Sequence, residues 1–189
     1  MRNLHLIFVL TTSLLPFAVV QAAPADVPET GQLTCYTAAG AVTACSTTGQ
    51  DGDHLAGVAW PSPRFVIDIG AGVDCLTDSL TGLMWMGAPS STPDTWVNAL
   101  SAANNLTLCG FTDWRLPNIN ELESLVNLEV TNQATFLNAQ GFTGVQADLY
   151  WSSTFAAAFN AWVVNMNDGY VNGSNKSTTR YVWPVRAGR

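Results

Sequence analysis

The order of segments along this chain predicts an α+β fold with two helices and an antiparallel sheet. Three observations predict it. A short apolar strand, Gly82-Leu83-Met84-Trp85-Met86, comes first. Two segments with helical spacing and helix caps follow. From Tyr150 to Val185 the chain then reads as short strands parted by turn dipeptides.

Taken in order, the first residues carry an export pattern. Arg2 supplies positive charge, Leu6 to Val20 is apolar, and Val20-Gln21-Ala22 offers a cleavage site. Cleavage falls after Ala22, because a cut after Ala23 would place Pro24 on the wrong side of the bond. The apolar stretch is short for a span of about 20 residues, and no cysteine follows it to take a lipid. A signal peptide over residues 1–22 and no membrane insertion are therefore expected. Residues 23–63 are rich in Thr, Gly, Ala and Pro and lack apolar periodicity, which suits an extended arm. Within it Thr30-Gly31-Gln32 recurs as Thr48-Gly49-Gln50, bracketing Cys35 and Cys45.

The domain proper, 64–189, opens with the strand at 82–86. The first helix is expected to start at Thr92-Pro93-Asp94, with Thr92 as cap. It buries Trp96, Leu100 and Ala103 on one face. The second has Asn118 as cap and Glu121 three residues on, a capping-box spacing; Ile119, Leu122, Leu125 and Val126 form its apolar stripe. Strands follow at Tyr150–Thr154 and Ala161–Met166. Asp168-Gly169 turns the chain into Tyr170-Val171, Asn172-Gly173 offers a further turn, and Tyr181–Val185 is the last strand. Trp151, Trp162 and Trp183 are expected in the core.

The formal charge is −7, and losing Arg2 with the leader makes it −8. So acidic a chain is unsuited to nucleic acid or an anionic membrane surface. The positive charge gathers near the C-terminus, at Lys176, Arg180, Arg186 and Arg189. All four cysteines lie in the mature part, so an exported chain predicts two disulfides, with three connectivities open. A local Cys35–Cys45 bridge is the simplest choice. No Cys-x-x-Cys spacing exists and His54 is the sole mature histidine, so neither a metal nor a cofactor is expected.

The residues give little sign of catalysis. His54 lies in the arm, away from Ser152 and Ser153, whose hydroxyls should satisfy nearby backbone. Glu121 and Glu123 sit where a helix N-terminus favours negative charge. Asp113 and Arg115 flank Trp114 on a strand, which suits an ion pair or hydrogen-bond network.

Four runs carry a resemblance. They are Thr77–Trp85, Cys109-Gly110-Phe111-Thr112-Asp113-Trp114-Arg115-Leu116-Pro117-Asn118, Tyr150-Trp151-Ser152-Ser153-Thr154, and Tyr181-Val182-Trp183-Pro184-Val185-Arg186. In this order they resemble the bacterial family of the collagen-like adhesin (Lcl-type) C-terminal domain, from about Arg64 to Arg186. The resemblance implies a C-type lectin-like fold, in which the terminal strands pair and the later strands carry the ligand face. With Cys35 joined to Cys45, it also points to Cys75–Cys109, each just ahead of a family motif. The same broad fold houses formylglycine-generating enzymes, but here disulfides account for the cysteines. The adhesin relatives bind sulfated glycosaminoglycans, which need a dense basic patch that this chain lacks.

The segment from Asn160 to Tyr181 alternates Asn, Ser and Thr with aromatic residues, a composition that suits recognition. With Trp162, Val164 and Met166 facing inward, Asn165 and Asn167 turn outward. The Asp168-Gly169 turn then brings Tyr170 and Asn172 beside them. Asn165, Asn167, Asp168, Tyr170, Asn172, Asn175 and Arg180 are thus the candidate ligand-binding residues. The expected function is a secreted or periplasmic, adhesin-like module, not an enzyme, recognising a neutral glycan or a protein at a cell surface. The alternatives are an enzyme of the formylglycine-generating-like fold and a structural subunit of a surface assembly; a homo-oligomer is compatible with each.

Overall fold

Two antiparallel sheets and the helices between them make up the domain. The computed structural model describes residues 27–67 and 75–188; the export pattern at 1–22 lies outside the described residues. The arm holds a two-stranded ribbon, β1 (Cys35–Tyr36) and β2 (Val42–Thr43), then one helical turn, α1 (Asp51–His54). The first domain sheet contains β3 (Phe65–Ile67), β4 (Cys75–Asp78) and β5 (Leu83–Met86). Helices α2 (Trp96–Asn104), α3 (Ile119–Glu123) and α4 (Gln133–Ala139) come next. The second sheet is β6 (Leu149–Ala157), β7 (Asn160–Asn165) and β8 (Val171–Asn175), and β9 (Val185–Ala187) ends the chain's strands. β9 returns to the first sheet, whose order is β3-β4-β5-β9; the second runs β6-β7-β8.

The β4–β5 turn shows how local chemistry sets this frame. Asp78 accepts the Leu80 N–H at 3.0 Å and the Thr81 hydroxyl at 2.9 Å, while Gly82 takes the positive φ that closes the turn. The same carboxylate pairs with Arg64 through two bonds of 2.9 and 2.8 Å, both side chains buried. Around this corner Trp85, Trp183, Phe142 and Tyr150 stack edge-on or tilted at 5.0–5.7 Å between centroids, spacings that aromatic rings prefer. A second cluster packs Ala99 and Ala103 of α2 on Trp151, Ala161 and Val163. β7 is therefore covered on both faces at Val163 and Val164, since Val164, with Met166 just beyond the strand, points into the first cluster.

Both expected disulfides are present, Cys35–Cys45 and Cys75–Cys109. Among the described residues no helix is long and apolar enough to cross a membrane.

Several boundaries differ from the sequence reading. α2 starts at Trp96 with Thr95 before it, because Asp94 exchanges backbone hydrogen bonds with Arg180 and so keeps 92–94 extended. Asn172-Gly173 makes no turn. Both residues pair with β7, Gly173 opposite Trp162. Trp162 is partly exposed, at 36 %, and not a core residue, whereas Trp151 and Trp183 are fully buried. The last strand begins only at Val185; Tyr181 instead bridges Tyr150 in parallel. Trp114 is no strand residue, and its neighbour Arg115 makes a single bridge to Val185. Two strands, β3 and β4, precede the strand expected to open the domain, and α1 and α4 bring the described helices to four.

Candidate ligand-binding face

The runs that carry the resemblance meet in space, and they are wired to one another. Asn118 Oδ1 accepts the Glu121 N–H at 2.9 Å and Glu121 returns a bond to the Asn118 N–H at 2.8 Å, a complete capping box. Arg115 holds the same carboxylate with two bonds of 2.7 and 2.6 Å. Ser153 donates both its N–H and its hydroxyl to Pro117 O, and Thr154 Oγ1 accepts the Ile119 N–H. Ser152 donates to Trp162 O at 2.8 Å. Trp151 Nε1 donates to Asp94 O, Trp96 Nε1 to Ser152 O and Trp183 Nε1 to Met86 O, each at 2.8 Å. Asp113 pairs with Arg186, which lies 3.8 Å over the Phe111 ring.

Electrostatics follow these pairings. Burial pushes the Glu121 carboxyl up, but the Arg115 fork, the Asn118 N–H and the Arg115 charge outweigh it and leave it below the usual range. The Arg186 hydrogen bonds lower the Asp113 carboxyl. Burial raises the Tyr150 phenol, whose oxygen accepts the Gln146 N–H at 2.8 Å. Ser152, Ser153, Glu121, Asp113 and all four cysteines are thus committed to structure. His54 is exposed at the end of α1.

The seven candidate binding residues occupy β7, β8 and the turns at either end of β8. At the hairpin end Asn165 Oδ1 accepts the Asn167 N–H, Asp168 Oδ1 accepts the Tyr170 N–H, and Asn167 Oδ1 accepts from Asn132 Nδ2. At the far end Asn175 Oδ1 accepts the N–H and hydroxyl of Ser177, while Arg180 Nε donates to Ser174 Oγ at 3.1 Å. Asn172 lies between, paired with Val163 across the strands. Five residues of strand part the two ends by roughly 13 Å. The structure therefore gathers Asn165, Asn167, Asp168 and Tyr170 at one end, sets Asn175 and Arg180 at the other, and joins them along an edge strand. Asn165 and Arg180 are half-buried, and the other five are exposed.

The carboxamide oxygens of Asn165 and Asn175 act as turn acceptors, and that of Asn172 accepts the Gly173 N–H within the strand, which fixes the side chains. Among the described residues, the Nδ2 donors of Asn165, Asn172 and Asn175 meet no protein acceptor. Tyr170, 63 % exposed, adds a flat apolar ring. Asn172 and Asn175, three apart on β8, project to opposite sides of that edge strand, and the edge can donate to hydroxyl or carbonyl oxygens and stack on an apolar surface.

Sequence reasoning missed two neighbours of this face. Phe155 and Phe159 stand exposed at the β6–β7 turn, beside Lys176, which donates to Ala158 O and lies 4.5 Å over the Trp96 ring. At the opposite end Gly169 borders a groove of about 610 Å³ between the arm and the α3 region, lined also by Glu29, Trp60, Asn120 and Glu123. Trp60, the one tryptophan in a small-residue arm, was the available signal. Among the described residues no three His, Cys, Asp or Glu side chains gather where they could hold a metal ion.

No curated protein matches the chain. The profile of the Lcl C-terminal domain matches residues 74–186, a stretch from just before β4 into β9 that covers well over half of the 189 residues. With that match, the chain belongs to the Lcl C-terminal domain family.

Proposed function

We propose that this chain is an exported, adhesin-like module of the lectin-like type that binds a neutral glycan or a protein at a cell surface and performs no chemistry. The observation that carries this reading is the β7–β8 face. Exposed Tyr170 and the uncommitted carboxamide donors of Asn165, Asn172 and Asn175 lie along the β7–β8 hairpin, and β7 beneath them is buried on both sides at Val163 and Val164. Such a support holds recognition groups at low entropic cost. Family membership supports a surface or secreted module, and two disulfides suit an oxidising compartment. Commitment of the cysteines, serines and paired carboxylates to the fold favours binding over catalysis. Pairing of β9 with β5, and a later sheet bearing the exposed face, suit the lectin-like comparison.

The test is capture on glycan and surface-protein arrays by the mature chain and by a Tyr170→Ala, Asn172→Ala double variant. Asn172 is the better partner for Tyr170, because Asn167 also braces Asn132, the cap of α4. Capture should fall at least tenfold with an unchanged melting temperature. Equal capture by the double variant would refute the assignment.

A further inference from the structure

The groove beside Gly169 carries a separate reading, independent of the β7–β8 face. Its volume, about 610 Å³, falls in the range of ligand sites. Val27, Pro28, Trp60, Val126 and Leu128 supply apolar walls. Val27 and Leu128 are 60 % and 51 % exposed, so two large aliphatic side chains stand in water at its rim.

The polar groups divide into two sets. Thr30 donates its hydroxyl to Asp51, and Ser124 donates to Glu121 O, so both are used. The carboxylates of Glu29 and Glu123 and the amide of Asn120 have no side-chain partner among the described residues. Among the described residues no lysine or arginine lines the groove. Arg64 lies 4.3 Å over the Trp60 ring, but its charge is spent on Asp78 and it donates to Ser124 O. Two carboxylates thus border an apolar trough without a counter-charge.

We infer that this groove docks an extended basic–apolar peptide segment of a partner protein. A lysine or arginine of that segment sets its cation against Glu29 and Glu123 and lays its aliphatic stem along the apolar walls. Long basic side chains do this routinely, with the stem on apolar surface and the head in a polar setting. A neutral saccharide fits less well: the two carboxylates can accept from its hydroxyls but leave their charge unmatched, Asn120 offers the one uncommitted amide, and the remaining walls are apolar. The chain's net charge of −7 also draws a cationic partner inward.

The experiment is calorimetric titration of the mature chain with the end-blocked peptide Leu-Ala-Lys-Ala-Leu, its norleucine analogue, and a glucosamine tetramer. Saturable binding of the lysine peptide is expected, weakened by added NaCl and at least tenfold tighter than the analogue. Glu29→Gln with Glu123→Gln should lose at least tenfold in affinity at an unchanged melting temperature. Should that pair alter the melt, Leu128→Ser, at an exposed wall, provides the second check and should weaken binding severalfold. Tyr170→Ala with Asn172→Ala should bind the peptide normally, which separates failure here from failure of the β7–β8 face. No binding, equal binding of the norleucine peptide, undiminished binding by the carboxamide variant, or carboxylate-dependent binding of the glucosamine tetramer alone would each overturn the inference.

Discussion

At Asn118 one carboxamide oxygen accepts the Glu121 N–H, and the Glu121 carboxylate answers by binding the Asn118 N–H and the Arg115 fork. Asn118→Ala removes the cap and should cost about 1 kcal/mol, read as a lower urea midpoint at unchanged slope; an unchanged midpoint contradicts the cap's role. Acid acts on the Glu121 carboxylate of this network and on two carboxylates elsewhere. The Asp113, Glu121 and Glu129 carboxyls all titrate below their usual range in the folded chain. A folded value below the unfolded one, which is near 4 for such groups, means the folded state holds fewer protons in that window. Stability from these groups is therefore full above pH ~5 and lost as pH falls through the folded values. Glu121→Gln should flatten the fall in melting temperature below pH ~4, and an unchanged acid slope would count against it. The capping box was legible because its spacing is local; Ser152 and Ser153 do bond backbone, but at Trp162 and Pro117, 10 and 36 residues away, partners that no local spacing names. Gln133 was not legible either. A buried glutamine that braces the Asn127 N–H and O and the Val130 O reads in sequence as a surface residue, so α4 went unseen.

Among the elements, the β7–β8 hairpin turns on Gly169, whose φ is +80°. A Cβ there would lie 2.6 Å from Val126 Cγ1. Gly169→Ala should therefore cost more than about 1 kcal/mol, since strained backbone and overlap add; thermal melts will show it, and an unchanged melt would mean that the hairpin yields. The Asp168-Gly169 turn was readable because nothing competes with its local preference. Asn172-Gly173 has a similar preference, yet pairing with β7 overrides it and leaves glycine opposite the large Trp162. The arm's repeat proved to be one local device used twice. In each copy the Thr hydroxyl accepts the N–H of the Gln two residues on, and the Gly between takes a positive φ. Cys75–Cys109 staples β4 to the loop ahead of Trp114 across 34 residues. Its loss should cost about 4 kcal/mol by loop entropy alone, so Cys75→Ala with Cys109→Ala should melt far lower than the parent. A matching melt would show that the staple is idle.

Over the whole molecule, the family match begins at residue 74, yet the fold does not. β3 pairs with β4 along Phe65–Ile67, and Arg64 balances the buried Asp78 carboxylate. A chain begun at residue 74 would leave that carboxylate without its cation, at about 3–5 kcal/mol, and bare the β4 edge. It should aggregate on gel filtration and melt without cooperativity, whereas a chain begun at Pro63 should melt cooperatively; a cooperative melt from the shorter piece would show that β3 is dispensable. Two sheets joined by a returning β9 were only partly readable, because pairing across about 100 residues leaves no local trace. Packing of the arm was equally hidden. Glu129 gathers the Leu33 and Thr34 N–H groups and the Thr34 hydroxyl, contacts that no composition announces. That clamp has a mechanical meaning. Tension applied at the N-terminus reaches first the bonds of Val27 and Glu29 to Val58 and of Leu128 to Thr30, then the Glu129 clamp, each a small catch able to reseat. The Cys35–Cys45 bridge, spanning ten positions with its Cα atoms 5.1 Å apart, withholds about 28 Å of tether at full extension, so a pulled arm slackens in short steps and spares the β4–β5–β9 sheet the first of the load.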